Sequence, residues 1–257
     1  MKLNTKKLHD RWETMWPPLL TLVIIAVAWE AAVRLFNVPL VIMPAPSQIV
    51  TETLKYFRAE LLDDWLTTVR IIALGYLTGV PTGIILASLL SQSKLLTKAF
   101  TPFVTLLVTL PMMVIVPVYM VWVGYEVTYR AILAFVQVSA IVTLNTLSGF
   151  RNIDQNKLDL AASYGASRFQ TFFKVIFPNA LPEVFQGLRL GCNFTILNVI
   201  GIEFIAGKIG MGFRVQYWSG LLKTPLVWGC ILIVGITGRL MFMIVQMFER
   251  RIVTWKR

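Results

Sequence analysis

Arg70 and Glu203 are ionisable residues set inside long apolar runs. Amides and hydroxyls accompany them: Gln137, Ser139, Thr143, Asn145 and Thr146 in one run, Asn193, Thr195 and Asn198 in another. The chemistry open to such residues is non-covalent. An unpaired polar group facing lipid is costly, so these side chains are expected to face protein or a wet cavity. Taken singly, each is expected to bond between helices; taken as a set, they form a reasonable lining for a pathway. Arg70 and Glu203 can pair, snorkel separately or form part of a gate, and a structural ion pair or backbone contact is the simplest reading. Arg189 reads as a cation satisfied by headgroups or loop carbonyls at the start of its run. The sequence offers no convincing cluster of His, Asp, Glu and Cys for metal or acid–base chemistry. It also has no glycine-lysine phosphate loop of the kind that binds a nucleotide.

The runs that must position these residues dominate the composition. Of 257 residues, 56% are hydrophobic and 14% charged, and the mean hydropathy is +0.70. A soluble domain needs far more polar surface than that. The net charge of +11 would suggest nucleic acid in a soluble protein, but here the basic residues cluster between apolar runs, which fits anionic lipid headgroups. Cys192 and Cys230 fall inside apolar runs with no metal spacing and read as small core-filling thiols. The first long run, from Leu19, lacks a small-residue cleavage signature and reads as a retained span. The expectation is an all-α integral membrane protein.

Runs of about 17–25 apolar residues give about six spans, at 18–36, 65–89, 101–123, 129–149, 185–206 and 225–247. Residues 1–17 form an N-terminal segment, and 18–257 form one transmembrane domain. Pro81 in the second span and Pro111 and Pro117 in the third predict kinks or broken turns. Pro44-Ala45-Pro46-Ser47 predicts a stop followed by a short surface helix. Gly75, Gly79 and Gly83 share one helix face and predict a close helix crossing, within or between subunits.

Orientation follows from charge. With a cytoplasmic N-terminus, 14 Lys and Arg fall on the inner face (Lys2, Lys6, Lys7, Arg11, Lys94, Lys98, Arg151, Lys157, Arg168, Lys174, Arg250, Arg251, Lys256, Arg257), against 7 on the outer face. The bias places both termini in the cytoplasm, together with the polar segment 151–183.

Within that segment Leu158, Ala161 and Ala162 form an apolar stripe, and Phe169, Phe172, Phe173 and Ile176 recur at helical spacing. Gly165 permits a sharp turn or a close backbone approach, and Pro178 and Pro182 constrain the return to the membrane. The pattern suits either an amphipathic helix pair resting on the bilayer or the protein's own underside, or a rigid knob inserted into a soluble partner. Asp159-Leu160-Ala161, then Gly165, then Val175-Ile176-Phe177-Pro178 nine residues on, resembles the EAA loop of ABC-transporter permeases, roughly E-A-A-x3-G-x9-I-x-L-P. Leu160 replaces the first alanine of that pattern, and Asp159 is one methylene shorter than its glutamate. The longer string LAASYGASRFQTFFKVIFPNALPEVFQGLRLG is similar to permeases of the nitrate/sulfonate/taurine type, and so are LTTVRIIALGYLTGVPTGI, PVYMVWVGYE and IEFIAGKIGMGF.

The resemblance implies a type I ABC importer permease fold, a non-catalytic subunit of the bacterial inner membrane, and a coupling loop at 151–183. It implies a second permease subunit, identical to this one, and two cytoplasmic ATPases that carry ATP and Mg2+, with no cofactor on this chain. It further implies a periplasmic or lipoprotein substrate-binding protein, surrounding membrane lipids and no nucleic acid. The ATPase-coupling residues it implies are Asp159, Ala161, Gly165, Ala166, Ser167 and Pro178. The candidate pathway or gate residues are Arg70, Gln137, Thr143, Asn145, Asn193, Asn198 and Glu203. The implied solute is a sulfonate, taurine, nitrate or related organic anion, with a vitamin or pyrimidine precursor as the alternative. An ion-gradient-driven transporter and a membrane scaffold for a soluble partner are the rival classes.

Overall fold

The computed structural model describes residues 3–123 and 127–255, and of residues 3–15, 123, 127 and 128 the backbone alone. Lys2, Lys256 and Arg257 from the charge count, and 124–126 of the PVYMVWVGYE string, lie outside the described residues, as do the side chains of Lys6, Lys7 and Arg11. Among the described residues the secondary structure is entirely helical. Helix α1 spans Leu3–Leu35 and runs through Pro17 and Pro18 without a break, so the N-terminal segment and the first span are one helix. Asn37 then turns the chain with φ 46, and α2, Pro46–Tyr56, starts with its proline in the first turn, where a missing N–H costs no hydrogen bond. A π turn at Phe57–Leu61 leads directly into α3, Leu62–Leu90. The expected surface helix is therefore continuous with the second span, and the apolar stretch covers Pro46–Leu90.

The third expected span, 101–123, is not one straight helix. Helix α4 occupies Lys94–Thr109 and α5 occupies Met112–Val123, and the two meet at a bend of 93°. Leu110, at the break, is extended with ψ 121, because the ring of Pro111 crowds the helical conformation of the residue before it. Pro117 and Pro81 lie within α5 and α3 without ending them. Counting the bent pair as one span, the described residues hold up to 6 membrane-length helices.

The core is three crossing helices. α6 (Val127–Arg151) packs between α3 and the long α9 (Phe177–Ala206). A Cβ on Gly75 would stand 2.6 Å from Ala134 Cβ, one on Gly79 3.0 Å from Val138 Cβ, and one on Gly83 2.6 Å from the Ser139 carbonyl. The glycine face of α3 is therefore filled by α6 of the same subunit, as expected where small residues let backbones approach. Ile71, Tyr76, Val138, Val142, Cys192 and Val199 are buried along this crossing. Two shorter helices connect α6 to α9: α7, Gln155–Ser163, and α8, Arg168–Thr171. After α9 come α10, Met211–Gly220, and α11, Thr224–Ile252. Helix α1 stands largely exposed beside α2, touching α11 through the edge-to-face pair Trp29–Trp228 with ring centroids 5.1 Å apart.

Candidate coupling loop and buried polar knot

The segment between α6 and α9 folds into a compact helical corner whose every turn has a local cause. Asp154 caps α7, accepting from the Asn156 N–H at 3.0 Å. The helix ends where Gly165 takes φ +71, with Gly165 N bonded to the Ala162 carbonyl at 2.9 Å and Ala166 N to the Ala161 carbonyl at 3.0 Å. This is a Schellman closure, which favours glycine because L side chains resist the left-handed region. Two residues on, Ser167 opens α8 with a capping box: Gln170 N donates to Ser167 Oγ, and Ser167 N donates to Gln170 Oε1 at 2.9 Å. A π turn, Phe172–Ile176, then carries the chain into α9, with Pro178 in its first turn.

One side of this corner is fastened to the bundle. Phe172, Ile176 and Phe177 pack against Ala87, Leu147, Phe150 and Ala180 at the ends of α3, α6 and α9. Lys157 Nζ reaches across to Asn179 Oδ1 at 2.5 Å. The other side carries apolar groups with no cover: Leu160, Tyr164, Phe169 and Phe173 are exposed, Tyr164 at 84%. Phe169 and Phe173 lie against each other with centroids 4.5 Å apart. Asp159 is exposed and accepts from the Gln155 side chain at 2.9 Å, while Ala161 and Ala166 are half-buried. A Cβ added to Gly165 meets nothing within 4 Å, so space outside the turn is open.

At the opposite end of α9 lies a buried polar knot. Glu203 is fully enclosed. Thr68 Oγ1 donates to its carboxylate, 3.0 Å from Oε1 and 2.9 Å from Oε2, and the Gly212 N–H donates to Oε2 at 3.0 Å. Thr68 Oγ1 in turn accepts from the Met211 N–H at 2.8 Å. One turn earlier on α3, Asp64 accepts from the Gly210 N–H at 2.6 Å and pairs with Arg214, which also bonds Glu60 at 2.8 Å. The unsatisfied amides at the start of α10 thus meet two carboxylates and a hydroxyl, where the helix dipole favours negative charge. Gly210 has φ +119, and a Cβ there would run into the Glu203 carboxylate. Buried Arg130 completes the knot: its Nη1 lies 3.7 Å from Glu203 Oε1 and donates to the Ile209 carbonyl at 2.8 Å.

The cation beside Glu203 is therefore Arg130; Arg70 is exposed on α3. Arg189 pairs with Glu249 of α11 in place of the expected loop carbonyl. The other pathway candidates divide in two. Thr143 is buried and donates to the Ser139 carbonyl at 2.6 Å and, between helices, to the Gly83 carbonyl at 3.1 Å. Asn145 and Asn198 bond carbonyls one turn back on their own helices, Ile141 at 2.8 Å and Phe194 at 2.9 Å. Gln137 is buried with no partner for its Oε1 among the described residues, and Asn193 is exposed on α9. Sequence reasoning missed Asp64, Thr68, Arg130 and Arg214. The available signal was that a buried Glu203 demands a cation and donors, with Asp64 and Thr68 four residues apart on one helix face.

Residues 79–254 match the family described as binding-protein-dependent transport system inner membrane component. The chain belongs to that family. This permease is 27% identical to the taurine transport system permease protein TauC of Escherichia coli strain K12, over 99% of this chain and 96% of TauC. It is 23% identical to the formylaminopyrimidine transport permease protein ThiX of Halalkalibacterium halodurans, over 93% of this chain and 96% of ThiX. In three dimensions the permease is similar to a chain of an amino acid ABC transporter, with a TM-score of 0.60 and 17% identity over 78% of this chain and 97% of that one. The fold is that of a type I ABC importer permease, a non-catalytic, multi-pass membrane subunit.

Proposed function

We propose that this permease pairs with a second, identical copy to form the pathway of an ATP-driven importer for a sulfonate, taurine, nitrate or related organic anion. In this reading residues 18–257 act as one transmembrane domain, both termini are cytoplasmic in the bacterial inner membrane, and an extracytoplasmic binding protein delivers the solute. Two cytoplasmic ATPases, holding ATP and Mg2+, engage the loop at 151–183. The observation that carries the reading is the two-sided corner of that loop. Phe172, Ile176 and Phe177 fasten it to the bundle, while Leu160, Tyr164, Phe169 and Phe173 stand uncovered. A rigid apolar knuckle of this kind is suited to a groove in a soluble partner. The capped turns at Asp154, Gly165 and Ser167 keep it from absorbing movement that it must pass on. ATP-driven closure of the ATPases then shifts the bundle between two packed arrangements, without covalent chemistry on the permease.

Gln137 and Asn193 are the residues best suited to face the pathway, one buried with a free acceptor and one exposed on a span. The bonded positions of Thr143, Asn145 and Asn198 favour helix packing. Likeness to TauC supports a sulfonate; likeness to ThiX supports a heterocyclic precursor as the second reading. Calorimetric titration of the cognate binding protein with taurine, nitrate and a formylaminopyrimidine separates them. A tight response to taurine or nitrate supports the first reading, and one confined to the pyrimidine replaces it.

A further inference from the structure

The loop and the knot sit at the two ends of one rod. α9 runs unbroken from Phe177, packed with the loop, to Ala206, just past Glu203. Its 30 residues span about 45 Å at 1.5 Å per residue. At its far end the chain reverses through Gly207–Gly210, and the knot fastens the start of α10 back onto α3 and α9 through Thr68, Asp64 and Glu203. Beyond that polar clasp, α10 is held on one side only. Trp218 packs with Leu61, Leu226 and Cys230, while Gln216 and Tyr217 are exposed, as are Leu221 and Leu222 in the turn that follows.

We propose that Thr68 is a positioning residue for transport: beside the direct Gly212–Glu203 bond, its hydroxyl joins Met211 to Glu203 and braces both on α3, so that α10 moves in step with α9 when the loop is displaced. The hydroxyl is suited to this because it both donates and accepts. It bridges α10, through the Met211 N–H, to the carboxylate on α9, from its own place on α3. Three helices meet at one oxygen atom. If that oxygen is removed, the Met211 N–H is left buried without a partner and the Glu203 carboxylate keeps only the Gly212 N–H and Arg130, so the local arrangement loosens. Valine has nearly the shape of threonine, so Thr68→Val removes the bridge with little change in packing, and Thr68→Ser keeps the bridge while removing a methyl group.

The inference rests on the importer reading, and its test separates the two. Cys192 and Cys230 are both buried, so a single environment-sensitive thiol probe can be placed on exposed Tyr217→Cys, or on exposed Lys174→Cys as a loop-end reference, in the full complex of permease, ATPase and binding protein in nanodiscs. ATP is expected to shift both probes in the wild-type background. With Thr68→Val the Lys174→Cys probe still responds and the ATPase still co-purifies, the Tyr217→Cys response falls at least fivefold, and solute uptake falls at least tenfold. Thr68→Ser returns both to within twofold of wild type. The inference is overturned if Thr68→Val keeps the Tyr217→Cys response, if both probes fall silent together, or if Thr68→Ser performs no better than Thr68→Val. A wild-type permease that fails to bind any ATPase overturns the importer reading instead.

Discussion

Arg130 Nη1 lies 3.7 Å from Glu203 Oε1, and both side chains are sealed inside the helix bundle. Breaking one side of a buried ion pair strands the other charge and costs about 3–5 kcal/mol, whereas removing both with apolar groups is much cheaper. Arg130→Met and Glu203→Gln are each expected to lower stability by about 3 kcal/mol, and the double variant to recover at least half of that loss. Thermal unfolding of the purified permease in a fixed detergent, arranged as a double-mutant cycle, measures the coupling. Additive losses would show that the two charges do not act as a pair.

Gly79 lies where a Cβ would stand 3.0 Å from both the Phe135 carbonyl and Val138 Cβ, whereas a Cβ on Gly235 meets nothing within 4 Å. Gly79→Leu should drive α3 from α6 and destabilise the fold by about 3 kcal/mol, in the range of severe overpacking. Gly235→Ala should be neutral or slightly stabilising through helix propensity. The yield of monodisperse permease after heating distinguishes them, and equal yields would contradict the assigned crossing.

Gly165 combines φ +71 with open space around its Cβ position. Gly165→Ala is therefore expected to cost about 1 kcal/mol from backbone strain alone, and Gly165→Asn less, since asparagine tolerates the left-handed region. If the loop docks an ATPase as proposed, Gly165→Trp should leave membrane insertion intact and abolish ATPase co-purification by filling that face. Wild-type co-purification of the tryptophan variant would remove Gly165 from the contact.

Tyr164 and Phe169 are the most exposed aromatic side chains of the loop corner. If they seat in an ATPase groove, truncating either to alanine should weaken association by about 2 kcal/mol, roughly 30-fold in Kd. Phe172→Ala acts differently, because Phe172 packs on Phe150 with centroids 5.3 Å apart. It should lower permease stability and uncouple transport while affecting ATPase affinity less. Titration of labelled ATPase onto nanodisc-embedded permease reads both effects.

The helical membrane fold was legible because it rests on composition and run length, which lipid solvation makes nearly decisive. The break at Leu110–Pro111 was visible as a proline, but its 93° bend was not, since the angle depends on how α4 and α5 pack. Glycine spacing on α3 showed a close crossing, though not that its partner is α6 of the same subunit. At the loop, Gly165 and Pro178 carried readable backbone constraints. The knot was illegible for a different reason: Asp64, Thr68, Arg130, Glu203 and Arg214 are scattered over four helices, and only the folded bundle brings them together. Arg70 was a reasonable partner for Glu203 by depth alone, yet Arg130 holds that place because α6 packs between α3 and α9.

The most direct measurement of the central claim is solute uptake into proteoliposomes holding the permease with its ATPase, supplied with the loaded binding protein. Uptake is expected only with ATP and Mg2+ and with all three components present, and it should stop when the ATPase is omitted or its hydrolysis is blocked. Uptake by the permease alone, driven by an imposed ion gradient and indifferent to ATP, would contradict the account.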